Sequence, residues 1–506
     1  MATAKYTGGA RFRLIFTMLR IDTPAPRAGA VVSLAPAARV EMERSLHWVE
    51  STLASDAPIY GINTGFGSLA RVRIATADTS QLSRNLIRSH AAGVGPPCPE
   101  DVVRGMMVLR ANALARGASG CRPALVETLC RMLEHGVVPK VPRQGSCGSS
   151  GDLAPLSHLA LVVFGEGGEV LGTASGGVAA MRAAGIGTLT PAAKDGLAMT
   201  NGAQLTTAIT ALALHDATVL LRTAERAAAM SIEALRGVSR AFHASVHALR
   251  PHPGAIESAA RLRELLAGST LVDSMPEKVQ DAYSLRCTPI VLGAVRDVLR
   301  YGRGAVEIEL NSVTDNPVML MDEDVANHAF SAGLFHGEPV GMAADAMKVG
   351  VAEIASISER RLYRLTTGSL SSRLPPALVG RDRPDLGMLV PQTTAAALVS
   401  ENKALAWPMT VDSIPTCEDQ EDHVAMSTTA AWRLWEMVQN SRRVVAIELL
   451  CASRALRLRL DEAPGVRLGA GAEAVMPLLE SIAAEHEVAA EAIEVIAARI
   501  AEGAFA

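Results

Sequence analysis

Gly145-Ser146-Cys147-Gly148-Ser149-Ser150-Gly151-Asp152-Leu153-Ala154-Pro155-Leu156-Ser157-His158 is the stretch whose reading settles what kind of chain this is. Its first seven residues form a glycine–serine run that neither a helix nor a strand favours. No Lys-Ser/Thr pair follows the last glycine, which argues against a phosphate-cradling loop. The Gly-x-Ser-x-Gly spacing of a nucleophilic serine elbow is also absent. An ordinary turn is the default for such a run, and a reactive reading stands beside it. A sharp bend made of small residues lets a glycine nitrogen reach the carbonyl carbon two residues upstream. If Gly151 N attacks the Ser149 carbonyl and water leaves, a five-membered imidazolone closes. Loss of the Ser150 hydroxyl as a second water leaves an exocyclic methylidene, an electrophile built from the chain itself.

On either side of this loop the chain reads as long helices. Apolar periodicity predicts them over 36–54, twice within 99–136 around Gly117–Gly120, and over 202–236, 289–311, 340–365, 392–406, 425–457 and 471–503. No segment alternates for long enough to predict an extended strand. Aromatic residues make up only 3% of a chain that is 49% hydrophobic, so Ala, Leu, Val and Met must fill the core. That composition suits closely packed helices. The expected fold is mainly α, a bundle of long helices. A loop-rich N-terminal region over 1–200 carries the reactive loop, and 201–506 supplies the long helices, the two forming one continuous structural unit.

A formal net charge of −4 and a pI near 6.3 give no reason to expect nucleic acid or a membrane surface as partner. Cys98, Cys121, Cys130, Cys147, Cys287, Cys417 and Cys451 contain no C-x-x-C pair, and reduced thiols in a reducing compartment are the simplest reading. The apolar run Leu14–Leu19 is short for a signal peptide. No run approaches the roughly 18–20 apolar residues that span a bilayer. The expected location is the cytoplasm.

Further motifs flank the loop in order. They are Tyr60-Gly61-Ile62-Asn63-Thr64-Gly65-Phe66-Gly67, Ser89-His90-Ala91-Ala92-Gly93-Val94-Gly95, Thr200-Asn201-Gly202 and Gln280-Asp281-Ala282-Tyr283-Ser284-Leu285-Arg286. After them come Asn311-Ser312-Val313-Thr314-Asp315-Asn316-Pro317, Phe335-His336-Gly337-Glu338-Pro339, Ser400-Glu401-Asn402-Lys403 and Gln420-Glu421-Asp422-His423. With the loop, this series resembles the aromatic amino acid ammonia-lyase family, and within it the histidine lyases. The resemblance implies a tetrameric ammonia-lyase-like fold and a 4-methylidene-imidazol-5-one (MIO) group formed autocatalytically from Ser149-Ser150-Gly151. Ser149 stands where the family usually has alanine, and contributes its carbonyl.

The resemblance also implies roles. An amine is a poor leaving group, which an electrophile at Ser150 would remedy. A β-proton is barely acidic, and Tyr60 resembles the family's base, provided its pKa falls from about 10. Arg286 would grip the substrate carboxylate with its planar guanidinium, assisted by Asn316. Asn201 would hydrogen-bond the ring oxygen, Tyr283 and Phe335 would wall the electrophile, and Gln280 and Gln420 would add hydrogen bonds. His90 and Glu401 are expected to bracket an imidazole side chain. The implied reaction takes ammonia from L-histidine, or a close imidazole amino acid, to give urocanate or an analogue. A homotetramer with shared active sites is implied, Tyr60 and the electrophile loop of one site coming from different subunits.

Three departures leave a 2,3-aminomutase, or a lyase for a modified amine, as the alternative. Leu334 replaces an asparagine, Asp419 replaces an asparagine near the expected site, and Thr288-Pro289-Ile290 replaces Gln-Pro-Gln. A hard-metal cluster of Glu418, Asp419, Glu421, Asp422 and His423 is a further, weaker reading; the expected site binds no metal.

Overall fold

A computed structural model of the chain describes residues 12–14, 32–53, 58–65, 72–75, 78–192, 194–380 and 386–506, excepting the side chains of 12–14. Most of the Arg11–Leu19 run, and Phe66-Gly67 at the end of the tyrosine motif, lie outside these residues. The chain is mostly helical. Pro36–Leu53, Glu100–Ala115, Pro123–Glu134, Gln204–Ala234, Thr288–Glu309, Glu338–Thr366, Leu389–Leu405 and Ser427–Glu462 fall where periodicity places them. Proline opens several, as Pro123 does, because its missing N–H is one a helix leaves unbonded anyway.

The expected single helix over 471–503 is corrected to three, Ala470–Glu473, Met476–Glu485 and Ala489–Ala501. Pro477 belongs in a first turn, and His486 and Val488 take extended backbone angles between the second and third helices. Thr79–His90 and Leu153–Val163 are helices that the sequence reading did not mark out. Strand is confined to three two-stranded pairs among the described residues. One of them, Val94–Pro97 against Pro142–Gln144, ties the segment after His90 to the start of the glycine–serine loop.

The division at 200/201 into parts of one unit also needs correction. The chain forms two compact units, the first from 1–212, 304–344 and 408–432, the second from 213–303, 345–407 and 433–506. The first thus takes back two later segments, which carry the Asn316, Phe335 and Gln420 motifs. A further correction concerns helix Gln204–Ala234, which is long and apolar enough to cross a membrane, although no such run was expected. Within the chain 72% of its apolar window is buried, as in a core helix.

In the second unit, three long helices meet around one buried ion pair. Arg361 and Glu448 are both 0% exposed. The Arg361 guanidinium donates to both Glu448 oxygens, at 2.8 Å for the Nη2 bond, while Ser231 Oγ donates at 2.7 Å. Ser358 adds another hydroxyl donor. A buried carboxylate so supplied is tolerated; stripped of its cation it is not. Arg361→Leu should therefore cost about 3–5 kcal/mol in denaturant unfolding, and Arg361→Leu/Glu448→Leu should recover most of it.

Candidate active site

The glycine–serine loop is anchored by the residue that follows it. Asp152 is 0% exposed and accepts from Ser146 Oγ at 2.8 Å, Thr206 N and Oγ1 at 2.9 Å, and Thr428 Oγ1 at 3.0 Å. Burial raises its carboxyl above the ordinary aspartate value, against the pull of those donors. The next contact forces a glycine. Gly151 has φ +70° and runs beside Gly202, and a Cβ there would lie 2.3 Å from the Gly202 carbonyl. Asp152 N donates to that same Gly202 carbonyl at 2.7 Å. Gly148 N–H is turned inward to the Ser146 hydroxyl, and its carbonyl accepts from Gly337 N at 2.9 Å. Gly148 and Gly151, on either side of Ser149-Ser150, both take left-handed φ, +71° and +70°.

Tyr60 is brought to this loop by a second tight turn. Asn63 Oδ1 accepts from Ile59 N at 2.7 Å and Thr64 Oγ1 from Gly61 N at 3.2 Å, while Gly61 takes φ +69°. Ile59 and Ile62 sink into an apolar cluster with Val49 and Met319, so Tyr60 between them is turned outward. It faces a cavity of about 590 Å³ whose lining includes Tyr60, Ser149, Ser150, Asn201, Asn316 and Phe335. Tyr60 and the glycine–serine loop thus line one cavity within a single chain, where the expectation drew them from different subunits.

Asn201, 6% exposed, leaves Oδ1 without a hydrogen-bond partner among the described residues. The Asn316 amide is already used, donating to Ser331 Oγ at 3.2 Å and accepting from Ala332 N at 2.8 Å. Gln420 lines the cavity as well. His90 is not a lining residue. Its Nδ1 shares a hydrogen bond of 2.9 Å with Ser89 Oγ, and burial pulls its pKa below the ordinary histidine value, favouring the neutral ring.

Gln280, Tyr283, Arg286 and Glu401 belong to the second unit, and none lines this cavity. Tyr283 is 71% exposed, with the Arg286 guanidinium 4.7 Å from its ring centre and Arg286 Nε donating to the Asp281 carbonyl. Glu401 and Gln280 are exposed.

The residue that sequence reasoning missed is Glu421. A short turn closes as Thr416 and Glu421 exchange backbone bonds of 3.0 and 3.3 Å. Cys417, Glu418 and Asp419 inside it all take left-handed φ, from +51° to +59°. Such angles strain ordinary residues and are easiest for Asn and Asp. The exchange of asparagine for Asp419 thus has a backbone explanation, and Asp419 does not line the cavity. The turn sends Glu421 back over the loop, where it accepts from the hydroxyls of Ser149, at 3.0 Å, and Ser150. Burial would raise the Glu421 carboxyl, but hydrogen bonds from Ser150, Thr416, Ser149 and Cys417 outweigh it and hold the group below the usual glutamate value. Leu334 and Thr288 are likewise absent from the lining, so none of the three departures touches the cavity.

The acidic metal cluster is not assembled. Among the described residues the grouping able to hold a cation is His336, Glu338 and His423, with ligand atoms within 4.8 Å of one another.

Residues 22–481 match the sequence profile of a family described as aromatic amino acid lyase. The chain is 48% identical over 448 residues to the histidine ammonia-lyase of Geobacillus kaustophilus, covering 88% of each. Among solved structures it is similar to histidine ammonia-lyase from Trypanosoma cruzi, with a TM-score of 0.86 and 37% identity over 95% of this chain and 90% of that one. Tyrosine aminomutase from Streptomyces globisporus superposes with a TM-score of 0.89 and 31% identity, covering 98% of both.

The anchoring of the loop can be tested directly. Asp152→Ala removes the buried acceptor of four donors and should lower unfolding stability by more than about 2 kcal/mol. Gly151→Ala, which meets the Gly202 backbone, should destabilise by about 1–3 kcal/mol. Urea denaturation measures both.

Proposed function

The chain belongs to the aromatic amino acid lyase family, and we propose that it eliminates ammonia from L-histidine to give urocanate. The observation that carries this reading is the cavity that sets Tyr60, Ser150 and Glu421 around one space. Relatives at 45–50% identity that bear the name histidine ammonia-lyase support the choice of substrate.

The loop fits an MIO group formed from Ser149-Ser150-Gly151. Its bend has no room for a side chain at Gly151, as a ring closed through that residue's nitrogen requires. That group supplies an electrophile that makes the substrate's amine able to leave. Around it, Tyr60 takes the proton from the β-carbon, Phe335 walls the site, and Gln420 adds a hydrogen bond. Asn201 would hold the ring oxygen by donating from its Nδ2. Glu421, in place of Glu401, is the carboxylate suited to accept from the imidazole, because Glu421 lines the cavity and Glu401 does not. His90 remains a neutral partner one layer back, oriented by Ser89.

The carboxylate-gripping Arg286, with Tyr283 and Gln280, comes in this reading from another subunit of a homotetramer, and Asn316 keeps the rim in shape. Exposed apolar side chains in the second unit support a covered surface: Val279 at 92%, Leu386 at 83%, Val390 at 72% and Trp407 at 69%. The cytoplasm suits its cysteines, of which none is disulfide-bonded.

Intact mass should fall short of the encoded value by two waters, and Ser150→Ala should restore the full mass and abolish urocanate formation. A wild-type chain of full mass would refute the prosthetic group. Glu421→Ala should lower kcat/KM for L-histidine about 10- to 100-fold, the loss of a hydrogen bond to a charged group, while Glu401→Ala stays near wild type. For the shared site, Ser150→Ala and Arg286→Ala proteins, each inactive alone, should regain partial activity when co-expressed. Inactive hybrids, despite mixing proven by mass spectrometry, would exclude it.

A further inference from the structure

The Glu421 carboxylate is held unevenly. Its Oε2 accepts from the Thr416 hydroxyl at 2.6 Å and from the Ser149 hydroxyl at 3.0 Å. Its Oε1 accepts from the Ser150 hydroxyl. The Cys417 thiol is a fourth donor to the carboxylate; of the three hydroxyl donors, that of Ser150 is the one that leaves as water when the loop matures, and those of Ser149 and Thr416 remain. Alanine, the usual residue at the Ser149 position in the resembling family, has no hydroxyl to give.

Building on the histidine-lyase reading above, we propose that Ser149 and Thr416 are positioning residues. They fix Oε2 of Glu421 so that maturation leaves Oε1 turned into the cavity as acceptor for the substrate's imidazole N–H. The two grips come from different places. Thr416 opens the left-handed turn that carries Glu421, and its hydroxyl ties the side chain to that turn. Ser149 belongs to the electrophile loop. The side chain that recognises the imidazole is thereby tied to the backbone that meets the amine, which keeps both ends of one substrate in register. Without the grips, a glutamate with three rotatable bonds on an exposed turn would swing away from Oε1's position.

The grips also set a pH dependence. Around Glu421 are His90 from the helix Thr79–His90, Cys147 from the electrophile loop, Cys417, Asp422 and His423 from its own segment, and Tyr60 and His336, which line the same cavity. Glu421 acts as the ionised form, so activity is lost as pH falls through its pKa. Hydrogen bonds from the hydroxyls favour that form. Removing a hydroxyl therefore raises the pKa, and the acidic limb moves to higher pH.

The test compares wild type with Ser149→Ala, Ser149→Thr, Thr416→Val and Thr416→Ser by intact mass and by the pH profile of kcat/KM for L-histidine. All should show the two-water deficit. Ser149→Ala and Thr416→Val should each move the acidic limb up by about half to one pH unit and raise KM about 3- to 10-fold, with a smaller change in kcat. Ser149→Thr and Thr416→Ser, which keep the hydroxyl, should restore both. The substrate's own imidazole titrates identically in every sample and cancels from the comparison. A second arm needs no mature loop. In Ser150→Ala protein, which lacks the hydroxyl on Oε1, calorimetry should record urocanate binding that Ser149→Ala weakens about tenfold. An unmoved limb in both hydroxyl-deleted variants overturns the proposal. So does full encoded mass in Ser149→Ala, which would assign Ser149 to ring closure instead. A wild-type protein with the mass deficit that leaves histidine untouched overturns the underlying substrate reading, an outcome distinct from an unmoved limb.

Discussion

A single buried carboxylate, Asp152, is the constraint on which the site depends. It sits at 0% exposure directly after the glycine–serine loop and takes hydrogen bonds from Ser146, Thr206 and Thr428. Thr206 begins the helix Gln204–Ala234 and Thr428 begins Ser427–Glu462. One side chain therefore clamps the loop to the starts of two long helices, where free donors are plentiful. A charge placed there without partners would be costly, so the geometry of all three segments is fixed together. The bend at Gly151 then follows, because Asp152 N and the Gly151 backbone both lie against Gly202.

Sequence carried most of the helical frame, because long Ala/Leu-rich periodicity survives in any environment. It failed at the C-terminal end, where Met476 and the residues after it stay apolar across a break that Pro477 opens. The reactive loop was legible for the opposite reason: so many small residues in a row have no ordinary use in a helix or strand. Tyr60, Asn201, Asn316, Phe335 and Gln420, each from a different motif, share a cavity with Ser150. The grouping of the two compact units was not legible, since segments 304–344 and 408–432 rejoin the first unit by packing that no local pattern reports.

Glu401 and Glu421 differ in how the backbone presents them. Both are glutamates in recognisable motifs, but Glu401 lies on the regular helix Leu389–Leu405, whereas Glu421 follows three residues in left-handed conformation. Non-glycine residues at such angles have no strong sequence mark, apart from the tolerance of Asp419 for them. Three left-handed residues in succession reverse the local course of the chain in a way that hydrophobic periodicity does not encode.

That strain is informative in its own right. Cys417, Glu418 and Asp419 in succession at positive φ cost on the order of 1–2 kcal/mol each, unless the surroundings hold them. Here the turn is held by the paired backbone bonds of Thr416 and Glu421 and by the Thr416 hydroxyl on the Glu421 carboxylate. Relaxing it would carry Glu421 away from Ser149 and leave the glycine–serine loop without its facing carboxylate. The strained turn and the bent loop therefore stabilise one another through a single side chain. Strain of this kind persists where the surroundings over-determine it, and here it fixes the distance between the Glu421 carboxylate and the hydroxyls of the glycine–serine loop.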